Sequence, residues 1–252
     1  MSLFQDVLLK IKRGQSPGMR RLRAMIRFLM APPAPRVPGM LRPLFGSLYE
    51  LHFMVIRVSR TILNLCYRHP LFQGRCKSIG HGVQIDQLPF VYGPVEIEIG
   101  DHTQIGGNIS IMSGYVFDQP RLTMGKHVFI GWHSFIAVNR EVVIEDHVMI
   151  SHGVRISDND GHPKEADRRS RHEPADAEAT KPVHIKRYAW IGNGAHIHKG
   201  VTIGEGAIIG ANSVVLKSVP PFALAAGNPA RVIRENVGRP SVTTPWPEDQ
   251  PL

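Results

Sequence analysis

The sequence is poor in the residue types that cross-link small proteins or bind metals. Cys66 and Cys76 are its only cysteines, which excludes a framework of several disulfides and a thiolate metal cluster. Long apolar runs are also missing, because Glu50 and Arg57 interrupt residues 44–66 below the roughly 18 apolar residues that a membrane span requires. The first residues show no secretory signal pattern. We therefore expect a cytoplasmic protein.

Acidic residues are scarce in the first 80 positions. Asp6 and Glu50 stand there against fourteen lysines and arginines, so residues 1–80 carry a net charge of +12. The whole chain carries +9, which leaves residues 81–252 at −3. Apolar residues recur among these cations at helical spacing. We expect residues 1–78 to form a basic helical extension that contacts an anionic membrane at its inner face or caps the next domain. Nucleic-acid recognition motifs are missing, so we expect no nucleic-acid partner.

Along most of the second half of the chain, an aliphatic residue returns every six positions. Such a period fits neither a helix face nor strand alternation and indicates a structural repeat. Units this short must stack to bury their aliphatic residue, three to a turn, with small residues at the corners. We expect residues 79–219 to form a mostly β, single-stranded parallel β-helix. The series comprises Ile99, Ile105, Ile111, Ile130, Ile136, Ile144, Ile150, Ile156, Ile185, Ile191, Ile197, Ile203, Ile209 and Val215.

The repeat resembles that of the hexapeptide-repeat acyltransferases over roughly residues 79–234. The likeness is most specific in residues 190–193 (Trp-Ile-Gly-Asn) and 227–234 (Gly-Asn-Pro-Ala-Arg-Val-Ile-Arg). It implies a left-handed parallel β-helix, whereas crossovers between parallel strands are generally right-handed. It also implies acetyl-CoA as co-substrate, no metal, and a homotrimer with the cofactor groove between subunits. Beyond the repeat we expect a turn and a short helix at 220–235 and a disordered tail at 236–252.

A polar insertion, residues 163–182, interrupts the repeat and must loop out from one corner because its charges cannot enter the core. His162 stands at its base, in a Gly-His-Pro context that matches the catalytic histidine of the resembling family. The resemblance therefore implies that His162 is the general base for the acceptor hydroxyl. Imidazole suits this role because it titrates near neutrality. Asp158 and Asp160 either orient the imidazole or cap a turn.

Further histidines and a tryptophan are candidates for the acceptor pocket, together with the two aspartates. These residues are His152, His133 and Trp132. Three other histidines occupy equivalent repeat positions, which predicts that they lie exposed at one corner. They are His102, His127 and His147.

The cofactor residues follow from the resemblance alone. It implies that Trp190 flanks the thioester and that Asn193 and Ala211 contact the pantetheine arm. It further implies that three cations bind the nucleotide phosphates, as arginine in particular can in a planar, charge-assisted geometry. These cations are Lys217, Arg231 and Arg234. For the two arginines, a solvated terminal helix is the alternative.

The leading functional prediction is an O-acetyltransferase acting on a sugar, closest to the polysaccharide and sugar O-acetyltransferases. The basic extension favours exopolysaccharide, capsule or O-antigen synthesis beside a membrane. Serine O-acetyltransferase, amino-sugar N-acetyltransferase and a non-catalytic β-helix scaffold stay open as alternatives. A zinc hydratase is disfavoured, because His147 and His152 have ligand spacing but Ile111 occupies the third ligand position.

Overall fold

The computed structural model describes residues 3–13, 16–31, 34 and 36–239. The chain divides into two compact units, with the division after Ile56. Helix α2 begins where Ser16 caps it, since the Ser16 Oγ accepts the Met19 N–H at 3.3 Å and Pro17 follows as the first helical residue. The helices of the first unit are α1 (Leu3–Arg13), α2 (Pro17–Met30), a 3-10 turn (Gly39–Leu41) and the first part of α3 (Arg42–Leu63).

Helical residues also cover the open end of the β-helix in the second unit. A π-helical turn (Asn64–Arg68) and α4 (His69–Arg75) follow α3. The Asn64 side chain donates to the Ile85 carbonyl at 2.8 Å, and Phe72 is fully buried. These contacts satisfy groups that an exposed end strand would leave unpaired. The predicted extension 1–78 is therefore not one body, because the helical residues after Ile56 belong to the β-helix unit.

Twenty short strands build the rest of the second unit. They are β1 (Ser78–Ile79), β2 (Gln84–Ile85), β3 (Phe90–Tyr92), β4 (Glu96–Ile99), β5 (Gln104–Ile105), β6 (Ser110–Met112), β7 (Arg121–Met124), β8 (Phe129–Ile130), β9 (Phe135–Ala137), β10 (Glu141–Ile144), β11 (Met149–Ile150), β12 (Arg155–Ser157), β13 (Val183–Ile185), β14 (Trp190–Ile191), β15 (His196–Ile197), β16 (Thr202–Ile203), β17 (Ile208–Ile209), β18 (Val214–Val215), β19 (Leu224–Gly227) and β20 (Ala230–Arg234). Helix α5 (Ala166–Ser170) lies in the insertion between β12 and β13.

The strands form three sheets, and from β1 to β18 every third strand belongs to the same sheet and pairs parallel to its neighbours. Sheet A has the order β1-β4-β7-β10-β13-β16, sheet B the order β2-β5-β8-β11-β14-β17-β19-β20, and sheet C the order β3-β6-β9-β12-β15-β18. This order means that each coil of the chain passes once through each face of a three-sided prism. Successive coils stack at the ordinary strand spacing of about 4.8 Å.

The predicted aliphatic series forms the core of this prism. Ile130 pairs with Ile150, Ile150 with Ile191, and Ile191 with Ile209 on neighbouring strands of sheet B. Every member of the series is almost fully buried. The residue before each inward aliphatic points outward, as the alternation of a strand requires. Each coil therefore contributes to one continuous apolar column.

The predicted short helix at 220–235 is wrong. This segment contains β19 and β20, an antiparallel hairpin at the end of sheet B in which Ala226 pairs with Arg231. The hairpin continues the hydrogen bonding of the last coil through β17, whereas a helix there would leave that edge unpaired. Residues 236–239 of the predicted tail also contact the fold, since the Val237 N–H donates to the Phe222 carbonyl at 2.7 Å. Residues 240–252 lie outside the described residues.

A stack of aromatic rings occupies the corner between sheets A and B. The rings of His102 and His127 lie 5.2 Å apart, those of His127 and His147 4.8 Å apart, and those of His147 and Tyr188 5.1 Å apart. His127 is 5% exposed, so the expectation that all three histidines lie exposed is wrong for it. In-register coils place equivalent corners directly above one another, and each ring therefore covers the next. Within the described residues, the buried Nδ1 of His127 has no hydrogen-bond partner.

This stack predicts a loss of stability in acid. Burial and the positive charge of His127 lower the pKa of His147, against an opposing effect of the Asp146 carboxylate. The unfolded imidazole, with a pKa near 6.5, then binds protons more readily than the folded one. We expect the free energy of unfolding to decrease as the pH falls below about 6.5 and through the lower pKa of folded His147, and His147→Gln to weaken that dependence. Denaturant unfolding at a series of pH values measures it.

The control is His52→Gln, which changes an exposed histidine of α3 outside the stack. An equally steep loss of stability in His147→Gln and the wild type would rule out the stack as its source.

Candidate functional site

His162 lies in an open cleft of about 470 Å³ on the outer surface of sheet C. The insertion leaves the coil here, and its base closes where the Lys181 N–H donates to the Asp158 carbonyl at 2.8 Å. The Asn159 side chain accepts the Gly161 N–H at 2.9 Å. Gly161 has φ of +82°, a left-handed conformation that glycine adopts without strain. This turn holds the exposed His162 over the sheet, where the part of the chain that the structure describes donates no hydrogen bond to its imidazole.

The insertion has its own internal order, built around one arginine. Arg168 forms ion pairs with Glu165, Glu173 and Asp176 at 2.8–3.2 Å. Pro163 and Ala175 are buried, although most of the segment is exposed. The insertion leaves the prism at the corner between sheets C and A, as its charge pattern predicts, and stays folded beside His162.

Asp158 is a structural residue beneath the cleft and does not line it. Its carboxylate accepts the backbone N–H groups of Asn139, Arg140 and Glu141 at 2.6–2.9 Å, and it is fully buried. Burial raises the pKa of Asp158, and these hydrogen bonds oppose the shift. Of the two roles that the sequence left open, turn capping is the one that its contacts support. Its assignment to the acceptor pocket is therefore corrected.

Asp160 does line the cleft, and its charge is neutralised there. Its carboxylate pairs with the Lys199 Nζ at 2.5 Å, across the gap between the insertion and the following coil. Asp160 therefore ties the base of the insertion to the prism. No hydrogen bond joins it to His162 within the described residues.

The other predicted pocket residues lie at a different corner. Trp132, His133 and His152 occupy the turns between sheets B and C, where the Trp132 N–H donates to the His152 Nδ1 at 2.9 Å. Trp190 lies nearby on sheet B and donates its indole N–H to the Ser151 Oγ at 3.2 Å. The side chain of Trp190 is 48% exposed. The structure therefore groups the three predicted acceptor residues with Trp190 and not with His162.

Asn193 and Ala211 continue this column along the prism. The Gly194 N–H donates to the His152 carbonyl at 2.9 Å, and the Asn212 N–H donates to the Asn193 carbonyl at 2.8 Å. Ala211 is exposed at the next coil. At Asn193 and Ala211 the corner between sheets B and C thus presents backbone groups and short side chains, next to the larger side chains of Trp132, His133 and His152.

The three predicted phosphate-binding cations lie at the C-terminal end. Lys217 follows β18, while Arg231 and Arg234 project from β20. All three are exposed, and none forms an ion pair with a carboxylate of the described residues. The two arginines are on a strand, so the alternative of a terminal helix no longer applies to them.

A larger cavity of about 860 Å³ lies at the corner between sheets A and B. Its charged groups are paired with one another: Lys186 with Glu145 at 2.7 Å and Arg187 with Glu205 at 3.1 Å. Asp146 also lines this cavity, and its carboxylate accepts the Lys126 backbone N–H at 2.7 Å. Within the described part of the chain, no group of three or more His, Cys, Asp or Glu side chains is arranged to hold a metal ion.

Comparison with known proteins places the repeat in a family. Residues 182–217 match the bacterial transferase hexapeptide family (six repeats). This match covers a part of the β-helix, from the end of the insertion to the residues after β18. The galactoside O-acetyltransferase of Escherichia coli K12 is 38% identical over 112 residues, which cover 44% of this chain and 53% of that protein. The chain therefore spans about half the length of this relative.

A solved structure shares the fold of this hexapeptide-repeat chain. It is AntD, an N-acyltransferase from Bacillus cereus, in complex with dTDP and 3-hydroxybutyryl-CoA. The TM-score is 0.53 at 21% identity, over 66% of this chain and 87% of that one. The likeness concerns the fold alone and confirms the predicted left-handed parallel β-helix.

The prediction from sequence missed three ionisable residues of the His162 cleft: Arg155, His196 and His198. The six-residue period could have identified two of these residues. Arg155 and His196 each precede an inward isoleucine, so both face outward on sheet C, the sheet from which the insertion with His162 departs.

Proposed function

We propose that the chain is an acetyl-CoA-dependent O-acetyltransferase that transfers an acetyl group to a sugar hydroxyl, in the synthesis of a bacterial exopolysaccharide, capsule or O-antigen. One observation carries the proposal: the turn at Gly161 holds His162 over an open cleft on the outer surface of the β-helix. The relative named for galactoside O-acetylation supports a sugar acceptor. Sugar N-acyl transfer is the second candidate, because the structure with the shared fold is an N-acyltransferase.

His162 is the proposed general base. Its imidazole accepts the proton of the acceptor hydroxyl as the hydroxyl oxygen attacks the thioester carbonyl, and it returns that proton to the departing thiolate. An exposed imidazole without an intrachain hydrogen bond is available for both transfers. Asp160 is not in position to hold the ring, because Lys199 occupies its carboxylate.

The cofactor groove is proposed to form between two copies of the chain. His162 stands at the corner between sheets C and A, whereas Trp190, Asn193 and Ala211 lie on sheet B or at the corner between sheets B and C. One face of two or three residues, about 7–10 Å wide, separates these positions on a single prism. A second copy, as in the trimer that the resemblance implies, can bring its edge against the first copy's cleft. Lys217, Arg231 and Arg234 then serve the nucleotide phosphates.

The base assignment is tested by replacing His162 with glutamine. Release of coenzyme A from acetyl-CoA should depend on an acceptor in the wild type and should fall by about 10²–10⁴-fold in His162→Gln. Binding of acetyl-CoA should persist, because the substitution leaves the opposite edge intact. Chromatography is the suitable readout of coenzyme A, because the exposed Cys66 would itself react with a thiol reagent.

The matched control is His172→Gln, an exposed histidine of the same insertion. Equal rates of coenzyme A release in the wild type and His162→Gln would show that His162 is not the general base. His152 would then be the next candidate. A wild type that neither releases coenzyme A nor binds acetyl-CoA would favour the scaffold alternative.

The first unit is proposed to bind the surface of an anionic membrane from the cytoplasmic side. Helix α2 has no buried residue, and Phe28, Leu29 and Met30 are 61%, 70% and 81% exposed. Four arginines share the helix with them: Arg20, Arg21, Arg23 and Arg27. Exposed apolar side chains beside arginines suit a layer of anionic headgroups. Among the helices in the described ranges, none is long and apolar enough to cross a membrane.

Vesicle sedimentation tests this contact. The protein should sediment with vesicles containing phosphatidylglycerol at low salt and remain free of pure phosphatidylcholine vesicles. Replacing the four arginines of α2 with glutamine should abolish sedimentation, since each contributes about 1 kcal/mol near such a surface. Equal sedimentation with neutral vesicles, or none with anionic ones, would contradict an electrostatic membrane contact.

A further inference from the structure

Arg155 is a fixed cation in the His162 cleft that has no acidic partner. It projects outward from β12, and its guanidinium carbon lies 4.7 Å from the centre of the Phe135 ring on the neighbouring strand. Among the described residues, no carboxylate comes within ion-pair distance of it. Stacking on an aromatic face holds a guanidinium in place and leaves the N–H groups at its edge available.

A row of aromatic and imidazole rings flanks Arg155 on the outer surface of sheet C. Arg155 pairs in register with His196 on β15, so Phe135, Arg155 and His196 stand side by side on sheet C. His198 and His162 complete the lining. Burial lowers the pKa of His196, and the charges of Arg155 and His198 act in the same direction. The cationic neighbours of His196 therefore reduce the affinity of its imidazole for a proton.

The charges of the cleft do not balance. Among the described residues, Asp160 is the one acidic residue that lines it, and Lys199 already pairs with that carboxylate. Arg155 is left as a permanent positive charge, with three imidazoles around it. In the cavity between sheets A and B, by contrast, Lys186 and Arg187 each form an ion pair with a carboxylate.

We propose that the Arg155 side of this cleft binds an anionic group, a carboxylate or a phosphate, on the acceptor sugar. The proposal rests on the proposed acetyl transfer and names its substrate class: a sugar acid or a sugar phosphate. The planar guanidinium fork matches the two oxygens of either anion. Coenzyme A has its own proposed cations at the C-terminal end of the prism, so Arg155 is free for the acceptor.

The test measures binding by calorimetry in the full-length protein with coenzyme A in excess, which fills the nucleotide-phosphate site. The probes are galacturonate, galactose 1-phosphate and galactose, which share a ring and differ in charge. At least one charged probe should bind about tenfold or more tightly than galactose. Arg155→Gln should remove that difference, and Arg155→Lys should restore part of it because the charge returns without the fork.

The matched control is Arg140→Gln, which changes an exposed arginine that lies 5.9 Å from the Phe117 ring and outside the cleft. This control should bind all probes as the wild type does. A preference for the carboxylate probe identifies a sugar acid, and a preference for the phosphate probe identifies a sugar phosphate.

Equal binding of charged and neutral probes, or an undiminished preference in Arg155→Gln, would overturn the proposal. So would a change of oligomeric state in Arg155→Gln without any anion binding, because Arg155 would then pair with a carboxylate of a second copy. Anion binding by a wild type that releases no coenzyme A with any acceptor would refute the proposed transfer while leaving the anion site standing.

Discussion

The in-register stacking of coils is the constraint on which the rest of this molecule depends. Each coil must place an aliphatic side chain inward on each face, because a unit of six residues cannot bury that side chain alone. The buried column from Ile130 through Ile150 and Ile191 to Ile209 is the result. Once the inward positions are set, the outward and corner positions are set as well. Side chains from distant parts of the chain then form straight rows along the prism.

These rows explain both the stability elements and the candidate site. At the corner between sheets A and B the row is a stack of imidazoles that cover one another, ending on Tyr188. On sheet C the row contains Phe135, Arg155 and His196. The insertion departs where that row meets the corner, and the buried Asp158 fixes its base by accepting three backbone N–H groups of the preceding coil. The exposed His162 is held through this buried carboxylate.

The six-residue period was enough to predict a parallel β-helix, its core and the place of the insertion, while the left-handed sense followed from the family resemblance alone. It could not predict the C-terminal hairpin, because Arg231 and Arg234 lie beyond the last hexapeptide and their pairing depends on the free edge of sheet B. The burial of His127 was also missed, since a single coil shows a corner as exposed and only stacking covers it. Arg155 was within reach of prediction, as it directly precedes Ile156. The ion pair of Asp160 with Lys199 was not, because the insertion separates the two residues.

We propose that His162 and the edge that contains Trp190, Asn193 and Ala211 meet only when two copies of the chain associate. Mixed oligomers of His162→Gln and Ala211→Trp test it directly, because the first variant lacks the base and the second obstructs the exposed edge. Each variant alone should be inactive. If the site lies between copies, random equal mixing leaves about a quarter of the interfaces with both intact halves, and acetyl transfer should return to about that fraction. A mixture with no more acetyl transfer than either variant alone would contradict this proposal and would place the whole site within one chain.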